Sequence, residues 1–315
     1  MAWLPYDYWA SYEKRIADVA EFDECVRLIS RFGEEYGRIY ENDPDQRLRF
    51  FWRGQENLVY SLHSSLARAL DQRGKLREAE LVGAEREIID EVRRWLISGS
   101  VPTLPALDVL ALLQHHGAPT RLLDFTRDPY MALFFAVEKN DDDPGRVIAI
   151  GVPESTVNLS TAEKTSFEPV WWNNGISAWD RLPRVWEPAS NFPRLRAQQG
   201  VFLIGGVPSN VPRRSMIDPA TQVWRQLTAT EIRHCMSVPF SLVKFERASA
   251  ADVGQRTVGQ PPKPPIGFTI RIEGSKAAIR EHLQNRVPAI DHANVYPDEA
   301  GFAAHAESIG RVRGN

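Results

Sequence analysis

Gln114-His115-His116-Gly117-Ala118-Pro119-Thr120-Arg121-Leu122-Leu123-Asp124-Phe125-Thr126-Arg127-Asp128-Pro129-Tyr130-Met131-Ala132-Leu133-Phe134-Phe135-Ala136-Val137 is the stretch around which the rest of the chain can be read. A helix-like run from Leu107 to Gln114 stops at Gly117, and an apolar helix-like run begins near Pro129. Between them, Thr120 to Asp128 reads as a short polar connector pinned at both ends, a setting in which sites are built. Thr126 and Asp128 precede Pro129 as helix N-caps do, with the proline in the first turn. Such an N-terminus can also receive an anion, so capping does not exclude a site. Asp124 lies among Leu123, Phe125 and the following apolar helix, so it is expected to be partly buried and to need a partner. His115 and His116 close the preceding helix, where a protonated imidazole suits the C-terminal dipole end.

Outward from this stretch, Ile16, Val19, Phe22, Val26 and Ile29 keep the helical period. A second helix carries Leu81, Ile88, Ile89, Val92, Trp95 and Leu96 on one face and ends at Ser98-Gly99-Ser100 and Pro102. Strand-like runs follow at Val147 to Ile150, Val201 to Ile204, Ser241 to Phe245 and Phe268 to Ile272. Helices first and strands later favour an α+β class over a doubly wound sheet. Gly254 to Pro265 has the composition of a stiff exposed loop. Only about fifty residues lie beyond it, below the usual size of an independent domain, so one domain is expected.

The chain has 315 residues, 43% of them hydrophobic and 25% charged, enough for one large core or two modest ones. A net charge of −3 gives no global attraction to nucleic acid or to an anionic membrane. Cys25 and Cys235 are the only cysteines; they lack metal-ligand spacing and fit a reducing compartment. With no signal-peptide pattern at Met1 and no bilayer-length apolar run, a cytoplasmic protein without a membrane partner is expected. The chain has no P-loop, dinucleotide Gly-x-Gly-x-x-Gly, His-Glu-x-x-His, Cys-x-x-Cys or Gly-x-Ser-x-Gly signature, and no metal is expected.

Three polar islands remain: Phe51-Trp52-Arg53-Gly54-Gln55, Thr120 to Thr126, and Arg194-Leu195-Arg196-Ala197-Gln198-Gln199-Gly200-Val201-Phe202. Arg53 can hold a phosphate or carboxylate in a bidentate fork, and Gly54 lets a ligand approach the backbone. Equally, Arg53 can be an interior strut paired with Asp124. The third island sits in a basic region of Arg181, Arg184, Arg194, Arg196, Arg213 and Arg214, with Trp171, Trp172, Trp179 and Trp186 nearby. That mixture suits a stacked base and its phosphates, or surface arginines over core tryptophans.

Together these islands resemble the FRG domain family, named for its aromatic-Arg-Gly motif. The resemblance rests on Phe51 to Gln55, on Gln114 to Thr126 with Pro129 and Ala132 to Ala136, and on Ala197 to Phe202. Lys276, Leu283 and Val295-Tyr296-Pro297-Asp298-Glu299-Ala300-Gly301-Phe302-Ala303 resemble the family's closing elements. This reading divides the chain into an N-terminal segment at 1–21, an FRG domain at 22–305 and a tail at 306–315. A more distant resemblance is to ADP-ribosyltransferases of the Arg-Ser-Glu type. Arg53-Gly54, Thr126 with Ala132 to Ala136, and Gln198-Gln199 before the Val201 strand follow the order of that family's three elements.

The second resemblance implies a single α+β domain with N-terminal helices and an ADP-ribosyltransferase-like split sheet. It implies NAD as co-substrate and either transfer or cleavage, as in an effector, toxin or phage-defence protein. The implied catalytic residues are Arg53, Asp124, Thr126 and Gln199; Trp52, Gly54, Gln55, His115, Thr120, Arg121, Phe125, Arg196 and Gln198 would surround the nucleotide. Arg53 would hold pyrophosphate, Thr126 the ribose, Gln199 ribose or acceptor, and Asp124 would position Arg53 or Arg121. The chain departs from that family where a catalytic glutamate is replaced by Gln198 or Gln199. A ribosyl cation calls for a carboxylate, so either Asp124 or Glu138 supplies it, or the protein is a nucleotide-sensing or protein-binding module.

Overall fold

The structure, a computed structural model, describes residues 5–39, 47–95, 103–157, 159, 161–168, 183–188, 193–208, 215–247, 265–299, 301–303 and 306. Leu96, Ser98 to Ser100, Pro102, Trp171, Trp172, Trp179, Arg181, Arg213, Arg214, Ala300 and residues 254–264 of the Pro-rich loop lie outside them.

In chain order the elements begin with α1 (Pro5–Ala10), β1 (Lys14–Ile16), α2 (Val19–Ile39), β2 (Leu48–Gln55), α3 (Ser65–Asp71), α4 (Glu78–Trp95) and α5 (Ala106–His115). Next come β3 (Leu123–Thr126), α6 (Pro129–Val137), β4 (Gly145–Pro153), α7 (Thr161–Thr165), β5 (Arg184–Trp186), α8 (Pro193–Ala197) and β6 (Gly200–Ile204). The remainder is β7 (Ser215–Ile217), β8 (Trp224–Gln226), α9 (Ala229–Cys235), β9 (Ser241–Leu242), β10 (Ile266–Ile272), α10 (Lys276–Gln284) and α11 (His292–Val295). The class is α+β, built on a mixed sheet ordered β1-β10-β4-β2-β3-β6-β5, with β9 parallel to the start of β10. β7 and β8 form a separate hairpin.

All nine residues of β4 are buried, which requires cover on both faces of the sheet. Alternation along the strand divides the core. Val147 and Ala149 face a cluster with α2, α6 and α10, whereas Ile148, Ile150 and Val152 face one with Trp9, Ile232 and Phe240. α6 is apolar all round because it is enclosed: Met131, Ala132, Leu133, Phe134, Ala136 and Val137 are all buried. Glycines set its height above the sheet. A Cβ on Gly54 would lie 2.0 Å from the Ala132 carbonyl oxygen, and one on Gly145 2.1 Å from that of Ala136. Gly54 therefore admits a helix, where the sequence suggested a ligand.

Other expectations change in detail. Ile16 belongs to β1, ahead of the helix that carries Val19 to Ile29. The Thr120–Asp128 connector contains a strand, β3, whose Asp124 alternates outward between buried Leu123 and Phe125. On α4, Trp95 is 82% exposed, and the buried face instead includes Glu78 and Glu85 with Leu81 and Ile89.

Candidate functional site

The sheet nearly parts between β2 and β3. β2 pairs with β4 along its whole length but meets β3 at one register pair, Trp52 with Thr126. Arg127 N–H donates to Gln199 O at 3.1 Å, so backbone groups of alternate residues Thr126 and Asp124 face the other way, toward β2. A continued ladder would set Asp124 against Gly54. Instead, Arg53 Nη1 donates to the Asp124 carbonyl at 2.7 Å. The two strands stay in one continuous sheet but meet at a one-pair joint wedged by a guanidinium.

A cavity of about 570 Å³ opens at this joint, within the usual size range for small-molecule sites. Its wall holds three arginines, Arg53, Arg68 and Arg194, and three carboxylates, Glu56, Asp124 and Glu138. Aromatic surface comes from Trp52, Tyr60, Phe125, Phe135, Phe202 and Tyr296. Polar and charged groups on aromatic walls are what a nucleotide-sized ligand needs for orientation and stacking.

Arg53 is 21% exposed at its side chain, and its Nε is buried with no hydrogen-bond partner among the described residues. Burial lowers its pKa from the arginine value; Asp124 raises it and Arg68 adds to the lowering. Asp124 is 66% exposed, contrary to the expected partial burial. Its Oδ1 accepts from Gln114 Nε2 at 2.7 Å, while Oδ2 is 3.8 Å from Arg53 Nη1. Thr120 Oγ1 donates to Gln114 Oε1, which orients that amide.

Across the cavity, Tyr296 donates its hydroxyl to Glu138 Oε2 at 2.9 Å. Burial and the Glu138 charge drive the Tyr296 pKa far up, so the phenol stays a donor. Buried Lys276 ties down both glutamate-bearing segments, donating to the carbonyls of Glu56, Lys139 and Asn140 at 2.8–2.9 Å. Arg194 Nη2 donates to Asp298 Oδ1 at 2.7 Å, and its guanidinium lies 5.1 Å from the Tyr296 ring centre.

Arg53, Asp124, Thr126, Trp52, Gly54, Gln55, His115, Phe125 and Gln198 all line this cavity; Gln199, Thr120, Arg121 and Arg196 do not. Gln199 adopts φ 47° at the tight turn into β6, and its exposed Nε2 donates to Asp128 Oδ2 at 3.2 Å. Gln198 takes the inward position, and its Nε2 donates to Val295 O at 3.2 Å. Thr126 Oγ1 donates to Gln198 O at 2.7 Å and accepts from Asp128 N, so it holds this turn, while Asp128 caps α6 through Tyr130 N. Arg121 is buried, and its close carboxylate partners are Glu85 and Glu78 on α4, each 2.9 Å away, where the sequence suggested Asp124. Thr120 is fully buried, and Arg196 points to solvent.

Sequence reading missed Arg68, Glu56 and the role of Tyr296. Glu56 directly follows the Arg-Gly-Gln run and was within reach of the motif. Arg68 carries no local signal, because α3 comes to the cavity only through the tertiary fold.

Among the described residues, no cluster of His, Cys, Asp and Glu could hold a metal ion, and no helix is long and apolar enough to cross a membrane. No curated protein and no solved structure matches the chain. The family model of the FRG domain matches residues 48–144, from the first residue of β2 to the residue before β4. That span holds the wedge arginine, the glycine beneath α6 and the glutamates at 56 and 138. The chain carries an FRG domain.

Proposed function

We propose that the cavity binds NAD and that the protein cleaves its nicotinamide–ribose bond, passing ADP-ribose to water or another acceptor. The observation that carries this reading is that Arg53 and two carboxylates, Glu138 and Glu56, line one nucleotide-sized cavity. Breaking the C1′–N bond leaves its electron pair on nicotinamide and an oxocarbenium-like centre on the ribose. The acceptor supplies a new electron pair to C1′ and loses a proton. Glu138, held by the Tyr296 hydroxyl, is the carboxylate assigned to face that positive charge. Asp124, once the other candidate, is exposed and engaged by Gln114 and Arg53.

A second reading, nucleotide binding without turnover, is favoured by one observation: Glu138 Oε2 already accepts a hydrogen bond from Tyr296. Nicotinamide release from NAD, alone and with cell extract, separates the two. Turnover that falls about 100- to 1000-fold in Glu138→Gln, with NAD binding kept, supports cleavage. NAD binding with no release from the wild type favours the binding module, and no NAD binding rejects both.

A further inference from the structure

Arg53 and Arg68 approach the cavity from different elements, β2 and α3, and their charges are less well matched than that of the third arginine in the wall. Arg194 also has a buried Nε without an acceptor among the described residues, but its charge is neutralised directly by Asp298. Arg53 spends Nη1 on a neutral carbonyl, keeps a buried Nε without an acceptor, and has only a loose 3.8 Å contact with an exposed carboxylate. Arg68 is exposed and has no side-chain hydrogen bond or ion pair among the described residues. Two neighbouring like charges repel each other. An anion bridging them removes that repulsion and fills the vacant donors in charge-assisted bonds.

One phosphate can be held by one guanidinium fork. Two forks on separate elements match two linked phosphates, and arginine's planar donor set suits each of them. We infer that Arg53 and Arg68 form a diphosphate subsite, so the ligand class is a nucleotide joined through pyrophosphate rather than a nucleoside monophosphate. This rests on the nucleotide reading of the cavity and adds Arg68 as the residue that selects for the second phosphate.

The test is calorimetric titration of the full chain with ADP-ribose, AMP, adenosine and inorganic pyrophosphate. It uses wild type, Arg68→Gln, Arg68→Lys and the turnover-disabled Glu138→Gln. ADP-ribose is expected to bind wild type at least about tenfold more tightly than AMP, the equivalent of one charge-assisted bond. Arg68→Gln is expected to erase that difference by weakening ADP-ribose while AMP changes less than about threefold. Arg68→Lys should recover part of it. Because Arg68 is exposed, the melting temperatures of its variants should match wild type, and the titrations then report binding alone.

Equal wild-type affinity for AMP and ADP-ribose, or equal weakening of both by Arg68→Gln, overturns the subsite. Diphosphate selectivity without nicotinamide release leaves the subsite standing and removes only the cleavage reading. Binding of pyrophosphate but of no nucleotide supports the anion pair and removes the nucleotide reading. No binding by any of the four probes overturns the subsite.

Discussion

Arg53 and Arg121 look alike in sequence, each in an aromatic or apolar setting beside a possible acidic partner, and the fold gives them opposite tasks. Arg121 is buried between two carboxylates: Nε meets Glu85 and Nη1 meets Glu78, both at 2.9 Å. Glu78 Oε2 also accepts from Val207 N at 2.7 Å, so this ion triad fastens α4, the connector and the residues after β6. Arg53 stands at a cavity with one neutral acceptor and a loose carboxylate, so its charge, unlike that of Arg121, has no close counter-ion among the described residues. The difference teaches that partner count, more than burial, separates a strut from a binding group. A cation whose charge is already matched has little left for a ligand.

The largest expected effect tests the strut. Arg121→Met should cost about 3–5 kcal/mol, because it leaves Glu78 and Glu85 buried without their counter-ion. Converting Glu78 and Glu85 to apolar residues in the same variant should recover much of that loss. Chemical denaturation measures both. A loss below about 1 kcal/mol for the single change would mean that Arg121 is not the fastening described here.

Gly54→Ala comes next and asks whether the motif glycine serves packing. Its new Cβ would meet the Ala132 carbonyl at 2.0 Å, so α6 would have to lift from β2 at an expected cost of about 1–3 kcal/mol. Unchanged stability together with lost ligand binding would return Gly54 to the ligand-approach role.

Arg194 stands between the two extremes, since it lines the cavity yet has one close carboxylate, Asp298. The hydrogen bond from Arg194 holds the Asp298 pKa below its ordinary 3.8. A depressed carboxylate contributes stability that is fully present above the unfolded value and disappears as pH falls through the folded one. Asp298→Asn should therefore cost about 1 kcal/mol near neutral pH, discounted for the partly exposed guanidinium. The gap from wild type should close as pH falls from about 5 to about 2. A gap independent of pH would assign the loss to packing.

Arg53→Lys sharpens the other side. Lysine keeps the charge but cannot reach two acceptors in one plane, so ADP-ribose affinity should fall about tenfold while stability shifts by less than about 1 kcal/mol. The reverse pattern, a large fall in melting temperature with affinity intact, would make Arg53 a second strut.

The sequence identified α4 by its repeating apolar face, α5 and α6 as helix-like runs, and the strands within β4, β6 and β10 as short β-branched or aromatic runs bounded by Gly, Pro or charge. It missed β3, which is four residues long with an aspartate in its middle and owes its form to pairing with β6. It drew Arg53 and Asp124 together correctly, but as an ion pair; the short bond goes to the backbone carbonyl. It could not tell Arg121 from Arg53, since the acids that fix Arg121 lie 36 and 43 residues earlier on α4. It gave Gln199 the catalytic position, whereas Gln198 lines the cavity, because the choice depends on which residue takes the left-handed turn.

The smallest expected effect concerns that turn. Gln199 has φ 47°, a conformation that strains an ordinary side chain, and its exposed amide makes one bond to Asp128. Gln199→Gly removes a weak surface contact and relieves backbone strain of similar size, so net stability should stay within about 0.5 kcal/mol. Ligand affinity should also hold, because Gln198, not Gln199, lines the cavity. Gln198→Ala, in contrast, removes the tie to Val295 and a group in the cavity wall, and should weaken ADP-ribose binding about threefold to tenfold. Parallel titrations of the two variants decide the assignment. If Gln199→Gly loses binding at an unchanged melting temperature while Gln198→Ala does not, the ligand meets the outer face of the turn, and the wall at Arg53 is not where it sits.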